Sequence, residues 1–404
     1  MEVPVSKTIH ITLRSGVAEV FGSPLDLGER LSISGQKIAV YSWKGAALEV
    51  RGTPSVVYVS DDTPMTQYIN VHETLEALRN QAKANNPATS GPRTIVVGPT
   101  DAGKSSLCKI LLNYAVRSGW GPTFADLDIG QGAITVPGCV AATPVEAPID
   151  IEEGILTDAP IVYYSGSVSP SENPALYRHV VERLAAVLQN RTEKDSASRT
   201  AGLIINSMGW VENLGYELLL HSIQTFKVDS VLVVGQEKLY SQLRAALKDS
   251  NRNVSLVKLP KSAGVVTRSR EERAEGRKHR VEHYFYGPAR QLSPAAQTAK
   301  IADLKIFRVG GGPKAPASAL PIGATSVTDP LKVSQVTNLR DIQFTMVAVS
   351  HAPSADLLLS CNVAGFIYVQ DVDINAGTVS YLSPCPGNLP GQFLLAGNFK
   401  VYLD

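Results

Sequence analysis

The run Gly98, Pro99, Thr100, Asp101, Ala102, Gly103, Lys104, Ser105 satisfies the pattern G-x-x-x-x-G-K-S/T, with Ser106 directly after it. Residues of these types at this spacing bind polyphosphate. The two glycines let the backbone turn its amides inward with no Cβ in the way, and a helix starting at the lysine adds its partly positive N-terminus to the cavity. Lys104 then reaches the β- and γ-phosphates and the Ser105 hydroxyl takes a place on a magnesium ion. ATP with Mg2+ is therefore the expected guest of residues 98–106. The pattern carries this meaning between a strand and a helix. Thr94 to Val97 supplies an apolar run before it, and Leu107, Ile110, Leu111 and Tyr114 recur behind it at helical spacing.

Two carboxylates, Asp126 and Asp128, close a second apolar stretch that begins at Phe124 and leads into Gly130, Gln131 and Gly132. Ligands of open parallel sheets gather at the carboxyl ends of the strands, which places this acid beside the phosphate loop. One of the pair can hold magnesium together with Ser105, directly or through water, while the other accepts a proton from an attacking hydroxyl. The competing reading is a cap or turn aspartate. Gln131 either orients a water or hydroxyl or supports the turn. Ser167, in the small hydroxyl-rich stretch Tyr164 to Ser169, can clasp a phosphate or sugar or simply lead into the helix that starts at Asn173 and Pro174. Trp210, at the end of the stretch from Asn206, is a candidate for stacking on a base, with core packing as the alternative.

A basic run follows the last core strand: Arg268, Arg270, Arg273, Arg277, Lys278 and Arg280 stand against Glu271, Glu272 and Glu275. Arg273 and Arg277 are one helical turn apart with Arg270 on the same side, so a lid helix could point several guanidiniums at a transferring phosphoryl group. A solvated helix with internal ion pairs would show the same charges.

These residues need elements to position them. From Thr8 to Ser60, short alternating runs (Ile9 to Leu13, Val17 to Phe21, Lys37 to Tyr41, Ser55 to Val59) separated by glycine-bearing turns predict a small antiparallel sandwich or barrel. A helix from Thr66 to Asn85, capped from Asp61 to Met65, leads to a turn-rich linker. From Arg93 strands alternate with helices, the mark of a parallel sheet. Strands are expected at Thr94 to Val97, Pro122 to Asp126, Ile161 to Tyr164, Gly202 to Asn206, Ser230 to Val234 and Ser255 to Leu259, with helices at Lys104 to Arg117, Pro174 to Gln189, Leu214 to Phe226 and Lys238 to Lys248. After Pro288 the alternation stops and short apolar runs predict a mostly β region. The fold class is thus α/β, a central P-loop domain between an N-terminal β-sandwich and a C-terminal mostly-β domain. Boundaries fall at residues 1–65, 66–92, 93–288 and 289–404, which suits a chain of 404 residues at roughly 150 per domain.

A net charge of +1 with 19% charged and 44% hydrophobic residues excludes a uniformly basic nucleic-acid coat and a disordered chain. Cys108, Cys139, Cys361 and Cys385 show no C-x-x-C spacing, so neither a zinc site nor a disulfide framework is indicated and a reducing, intracellular compartment fits. No run reaches the ~18 apolar residues of a membrane span, so no membrane partner is expected.

The phosphate loop from Gly98 to Ser106, the segment Asp126 to Gly132, Asn206 to Trp210, Lys261 to Val266 and Tyr284 to Gly287 together closely resemble the polyribonucleotide 5'-hydroxyl kinase family. The resemblance spans nearly the full length, including Val17 to Gly22, Thr63 to Met65 and Val363 to Ile367. More narrowly, it points to the branch that serves as a subunit of the nuclear pre-mRNA 3'-end cleavage and polyadenylation machinery. It implies transfer of the γ-phosphate of ATP to the 5'-hydroxyl of RNA with magnesium. The partners it implies are the RNA 5' end, the scaffold subunit of the cleavage factor, other 3'-end processing subunits and, in animals, the tRNA splicing endonuclease. On it Lys104 and Ser105 match the phosphate-loop lysine and metal-binding hydroxyl, Asp128 the acid that activates the RNA hydroxyl, and Trp210 an RNA-stacking tryptophan. Arg268, Arg273 and Arg277 match lid arginines, and Lys37 a basic residue of the N-terminal domain that contacts the nucleotide. Asp126 stands where relatives carry glutamate. Relatives also carry an acidic and aromatic segment, with a nucleotide-touching glutamate, ahead of the first strands, whereas this chain begins almost directly at them. Some family members hold ATP as a structural ligand, so a catalytically silent ATP-holding scaffold is the rival expectation.

Overall fold

The structure, a computed structural model, describes residues 1–85, 89–155, 159–248, 253–310 and 329–403. Its centre is a seven-stranded sheet in the order Ile161–Tyr164, Cys139–Pro144, Thr123–Asp126, Leu203–Asn206, Arg93–Val97, Ser230–Val234, Ser255–Leu259. The last five run parallel, and Cys139–Pro144 is antiparallel to both of its neighbours. Central strands covered on both faces read as unbroken apolar runs, and Ile95, Val96 and Val97 have no exposed surface at all. One face packs on Leu107, Leu111 and Leu112 of the helix Lys104–Arg117. The other packs on Tyr177, Val181 and Leu184 of Pro174–Lys194 and on Leu218 and Leu219 of Leu214–Thr225.

The sheet order decides where the chemistry sits. Leu203–Asn206 lies between the strand that feeds the phosphate loop and the strand that ends at Asp126. All three present their carboxyl ends on the same edge, so the loop at 98–105, the acids at 126–128 and the Asn206–Trp210 segment converge there.

The N-terminal region forms two three-stranded antiparallel sheets, Arg30–Ser34, Thr8–Gly16, Ala46–Arg51 and Ser23–Pro24, Glu19–Val20, Val40–Tyr41, around Ile9, Ile11, Ile33 and Ile38. It is anchored on the central domain by Glu19, which is 5% exposed. Its carboxylate accepts from the Tyr114 hydroxyl and from the Arg117 guanidinium at 2.8 Å. The expected strand from Ser55 to Val59 is not formed. Only a single bridge, Glu2 to Val56, pairs it, and Val57 and Val59 are 63% and 94% exposed. Its apolar alternation has no sheet edge to lie against, and without a partner strand the backbone groups gain nothing from extension.

The helix Met65–Ala84 begins at Pro64 with no side-chain cap; Asp61 and Asp62 do not serve, and the Thr63 hydroxyl accepts from the Met65 amide at 3.4 Å. Arg79, 1% exposed, ties this helix to the core through the Ala201 carbonyl at 2.9 Å. The antiparallel strand Cys139–Pro144 and the short helix Ser196–Ala201 have no counterpart in the sequence reading. The C-terminal region is a second seven-stranded sheet, joined to the first where the Tyr164 hydroxyl donates to the Met346 carbonyl at 2.9 Å. Gly397 backs directly onto Gly166 there: a Cβ on Gly397 would fall 2.6 Å from the Gly166 carbonyl oxygen. Among the described residues no helix is long and apolar enough to cross a membrane.

Candidate active site

The phosphate loop turns on two glycines with positive φ, Gly98 at 157° and Gly103 at 93°. A Cβ at Gly98 would meet the Val234 carbonyl at 2.6 Å, so the loop can lie flat against the neighbouring strand only without one. Lys104 opens the helix Lys104–Arg117 and is 7% exposed, with its Nζ donating to the Pro99 carbonyl at 2.9 Å across the loop. Burial lowers its pKa, opposed by the carboxylates of Asp128, Asp101 and Asp126. The cation is therefore held in a dry cradle facing three acids. Ser105 is exposed in the first turn and Ser106 is half-buried. Thr100 donates to the Gly209 carbonyl at 3.2 Å, tying the loop to the segment that carries Trp210.

Asp126 and Asp128 divide their work. Asp126 is 2% exposed and both of its oxygens are engaged. Oδ1 accepts from the Asp128 amide at 3.1 Å and Asn206 Nδ2 at 3.0 Å, and Oδ2 from the Ala133 amide at 2.7 Å. Burial, then the charge of Asp128, raises its pKa to about 6. It is the post on which the 126–133 turn is hung, and direct coordination of a metal would cost these bonds. Asp128 is half-buried and, among the described residues, accepts with Oδ1 alone, from the amides of Gly130 and Gln131, both at 3.0 Å. Its second oxygen keeps its capacity to take a proton or a cation. Tyr177 supports the turn from beneath, its buried hydroxyl donating to the Leu127 carbonyl at 3.0 Å.

Gln131 braces the turn and the lid: Nε2 donates to the Gly130 carbonyl at 2.8 Å and to the Arg273 carbonyl at 3.4 Å. Ser167 is 5% exposed and its hydroxyl closes its own loop, donating to the Ser169 carbonyl at 3.0 Å and accepting from the Ser169 amide at 3.1 Å. Trp210 is half-buried, its ring lying over Gly215, where a Cβ would come within 2.6 Å.

The basic run folds into the helix Arg270–Tyr286, started by a capping box in which Ser269 and Glu272 bond reciprocally. It lies across the site. Arg273 and Arg268 reach Asp101 of the phosphate loop, and Arg277 stacks 5.9 Å from the Phe399 ring of the C-terminal sheet. Lys37, placed by sequence against the nucleotide, bonds Glu272 at 2.9 Å and Glu2 at 3.2 Å; burial would lower its pKa, but these carboxylates outweigh it and raise it. Lys109, a residue the sequence reading did not select, sits 5.9 Å from the Phe21 ring, and burial followed by the charge of Arg280 pushes its pKa down to about 8. Nothing in its spacing marks it, because its neighbour Arg280 comes from a helix about 170 residues further on.

Known proteins resemble this chain over nearly its whole length. Three family models tile the chain: "N-terminal beta-sandwich domain of polyadenylation factor" over residues 1–82, "mRNA cleavage and polyadenylation factor CLP1 P-loop" over 98–287, and "Pre-mRNA cleavage complex II protein Clp1" over 292–403. The "Protein CLP1 homolog" of Arabidopsis thaliana is 49% identical, with 96% of this chain and 89% of that protein covered. The chain belongs to the Clp1 family. The Homo sapiens relative, named "Polyribonucleotide 5'-hydroxyl-kinase Clp1", is 42% identical over 98% of this chain and 92% of its own. A solved structure of wild-type Clp1p bound to a segment of Pcf11p has the same fold, with a TM-score of 0.83 at 23% identity, covering 98% of this chain and 95% of that one.

Proposed function

We propose that this Clp1-family chain is a nuclear subunit of the pre-mRNA 3'-end cleavage machinery that transfers the γ-phosphoryl group of ATP to the 5'-hydroxyl of RNA. The observation that carries the reading is that the Asp128 carboxylate, with one oxygen outside the turn's hydrogen bonds, and Lys104 stand at the carboxyl ends of separate strands on one sheet edge. The residues fit the guests. Gly98 to Ser106 form the cradle for the triphosphate, and Ser105 with Asp126 would hold magnesium, which would draw charge off the phosphates, leaving Asp128 for the proton.

The protein's own part is positioning and proton transfer. Asp128 takes the proton of the RNA 5'-hydroxyl as that oxygen bonds to the γ-phosphorus, and the bond from the γ-phosphorus to the bridging oxygen breaks with ADP leaving. Lys104 leaves the Pro99 carbonyl for the departing phosphates, and Arg268, Arg273 and Arg277 stabilise the equatorial oxygens. Trp210 stacks on the terminal base, and Gln131 and Ser167 hold the turns that meet the RNA beyond it. Lys37 serves the nucleotide from the N-terminal side. The Pcf11p seen on the solved relative makes a scaffold subunit of that kind the first partner to test.

The Lys104 bond to Pro99 favours a second reading, a chain that holds ATP without spending it. Transfer of labelled γ-phosphate to a 5'-hydroxyl RNA oligonucleotide separates the two. Label on RNA that vanishes in Lys104→Ala establishes the kinase. Unlabelled RNA, with ATP retained stoichiometrically by the purified wild type, establishes the holder.

A further inference from the structure

The phosphate-loop pattern leaves position 101 free, yet Asp101 is committed there. It adopts φ 55°, in the left-handed region that a non-glycine residue enters at a cost of roughly 1 kcal/mol, aspartate and asparagine least reluctantly. Its side chain is 5% exposed. A carboxylate in a loop built for phosphates opposes the guest electrostatically, so its orientation matters. It faces the lid. Oδ2 accepts from the Arg268 amide at 2.9 Å and from the Arg273 guanidinium, and Oδ1 stands 3.6 Å from Arg268 Nε. The same lid turn is braced by Gln131 under the Arg273 carbonyl. Arg273 spends a terminal nitrogen on Asp101 while its buried Nε has no hydrogen-bond partner among the described residues. One edge of the guanidinium is pinned and the rest is left with donors to give.

We propose that Asp101 is a positioning residue for phosphoryl transfer: it docks the lid on the phosphate loop and sets the orientation of Arg268 and Arg273 before the nucleotide's charge can do so. This rests on the kinase reading above. A charge-assisted bond from the loop lowers the reorganisation that Arg273 must undergo when negative charge develops beside it. Asp101 itself touches no reacting atom.

The test uses the full-length chain with Asp101→Asn, which keeps the left-handed preference and removes the charge, and Asp101→Glu, which restores the charge. Steady-state transfer to a 5'-hydroxyl RNA is measured beside deuterium exchange of the amides from Arg268 to Arg277 in nucleotide-free protein. Asp101→Asn should lower kcat about 10- to 100-fold, leave KM for ATP within about threefold, and speed lid exchange. Asp101→Glu should recover part of both, and in an Arg273→Ala background Asp101→Asn should add little. A raised kcat would mean that Asp101 sequesters the arginines, and a raised KM with unchanged kcat that it only shapes the loop; either overturns the proposal. A wild type that transfers no phosphate refutes the kinase reading, and unchanged lid exchange in Asp101→Asn refutes the docking by itself.

Discussion

The 126–133 turn and the lid helix hold opposite kinds of structure around one site. The turn is determined from within: Asp126 collects three donors in a dry interior, Asp128 two more, and Tyr177 closes it from below. The lid's first turns are held from outside, by contacts to Lys37, Asp101, Gln131 and Phe399 that belong to three different regions of the chain, while Val281 and Phe285 root its far end in the core. A buried hydrogen-bonded network gives atoms that must not move, whereas a few ion pairs reaching across from other elements give a part that can be released. The difference fits a site whose acid is fixed by its own turn and whose arginines are set by contacts from elsewhere in the fold.

The contrast can be broken most severely at the loop that both parts face. Lys104→Ala should cut phosphate transfer on the order of 10³-fold or more and weaken ATP retention, read by label transfer and by nucleotide released on denaturation. A next, smaller effect tests the dry side. The folded pKa of Asp126, about 6, lies above the ordinary unfolded value, so the folded state binds the proton more tightly and ionisation costs the fold. Stability owed to this group is therefore full below about pH 4 and lost as pH rises to about 6. Denaturant unfolding of wild type against the non-titrating Asp126→Asn should show their difference shifting against the wild type by about 1–3 kcal/mol over that window, and staying level above it. The smallest effect tests the wet side. Lys37→Ala removes an exposed pair to Glu272, so the unfolding midpoint should stay within about 1 °C while deuterium exchange at Glu271 to Arg273 rises and 0.5 M salt erases the difference.

What was legible in the sequence follows the same division. The phosphate loop and the strands at Arg93–Val97 and Ser230–Val234 could be read because their geometry is dictated locally, by glycines, by a helix start and by unbroken apolar runs. The helix carrying Arg273 and Arg277 was legible as a helix, but its partners were not. Asp101 lies 172 residues before Arg273, and only the fold brings them together. The separate duties of Asp126 and Asp128 were hidden for the same reason, since they depend on Asn206 and Ala133. The strand Cys139–Pro144 is not legible in the sequence because a short antiparallel return between two parallel strands breaks the expected alternation. Ser55 to Val59 misled in the other direction: alternation predicts a face, but a strand also needs an edge to pair with.

The most direct test of the account is single-turnover transfer from ATP to a 5'-hydroxyl RNA by Asp128→Asn, with ATP binding measured on the same sample. With the turn amides still able to bond the asparagine Oδ1, the account predicts a folded protein that binds ATP as the wild type does and transfers phosphate about 10²- to 10⁴-fold more slowly. Transfer at the wild-type rate would contradict it, because the free oxygen of Asp128 would then not be the base.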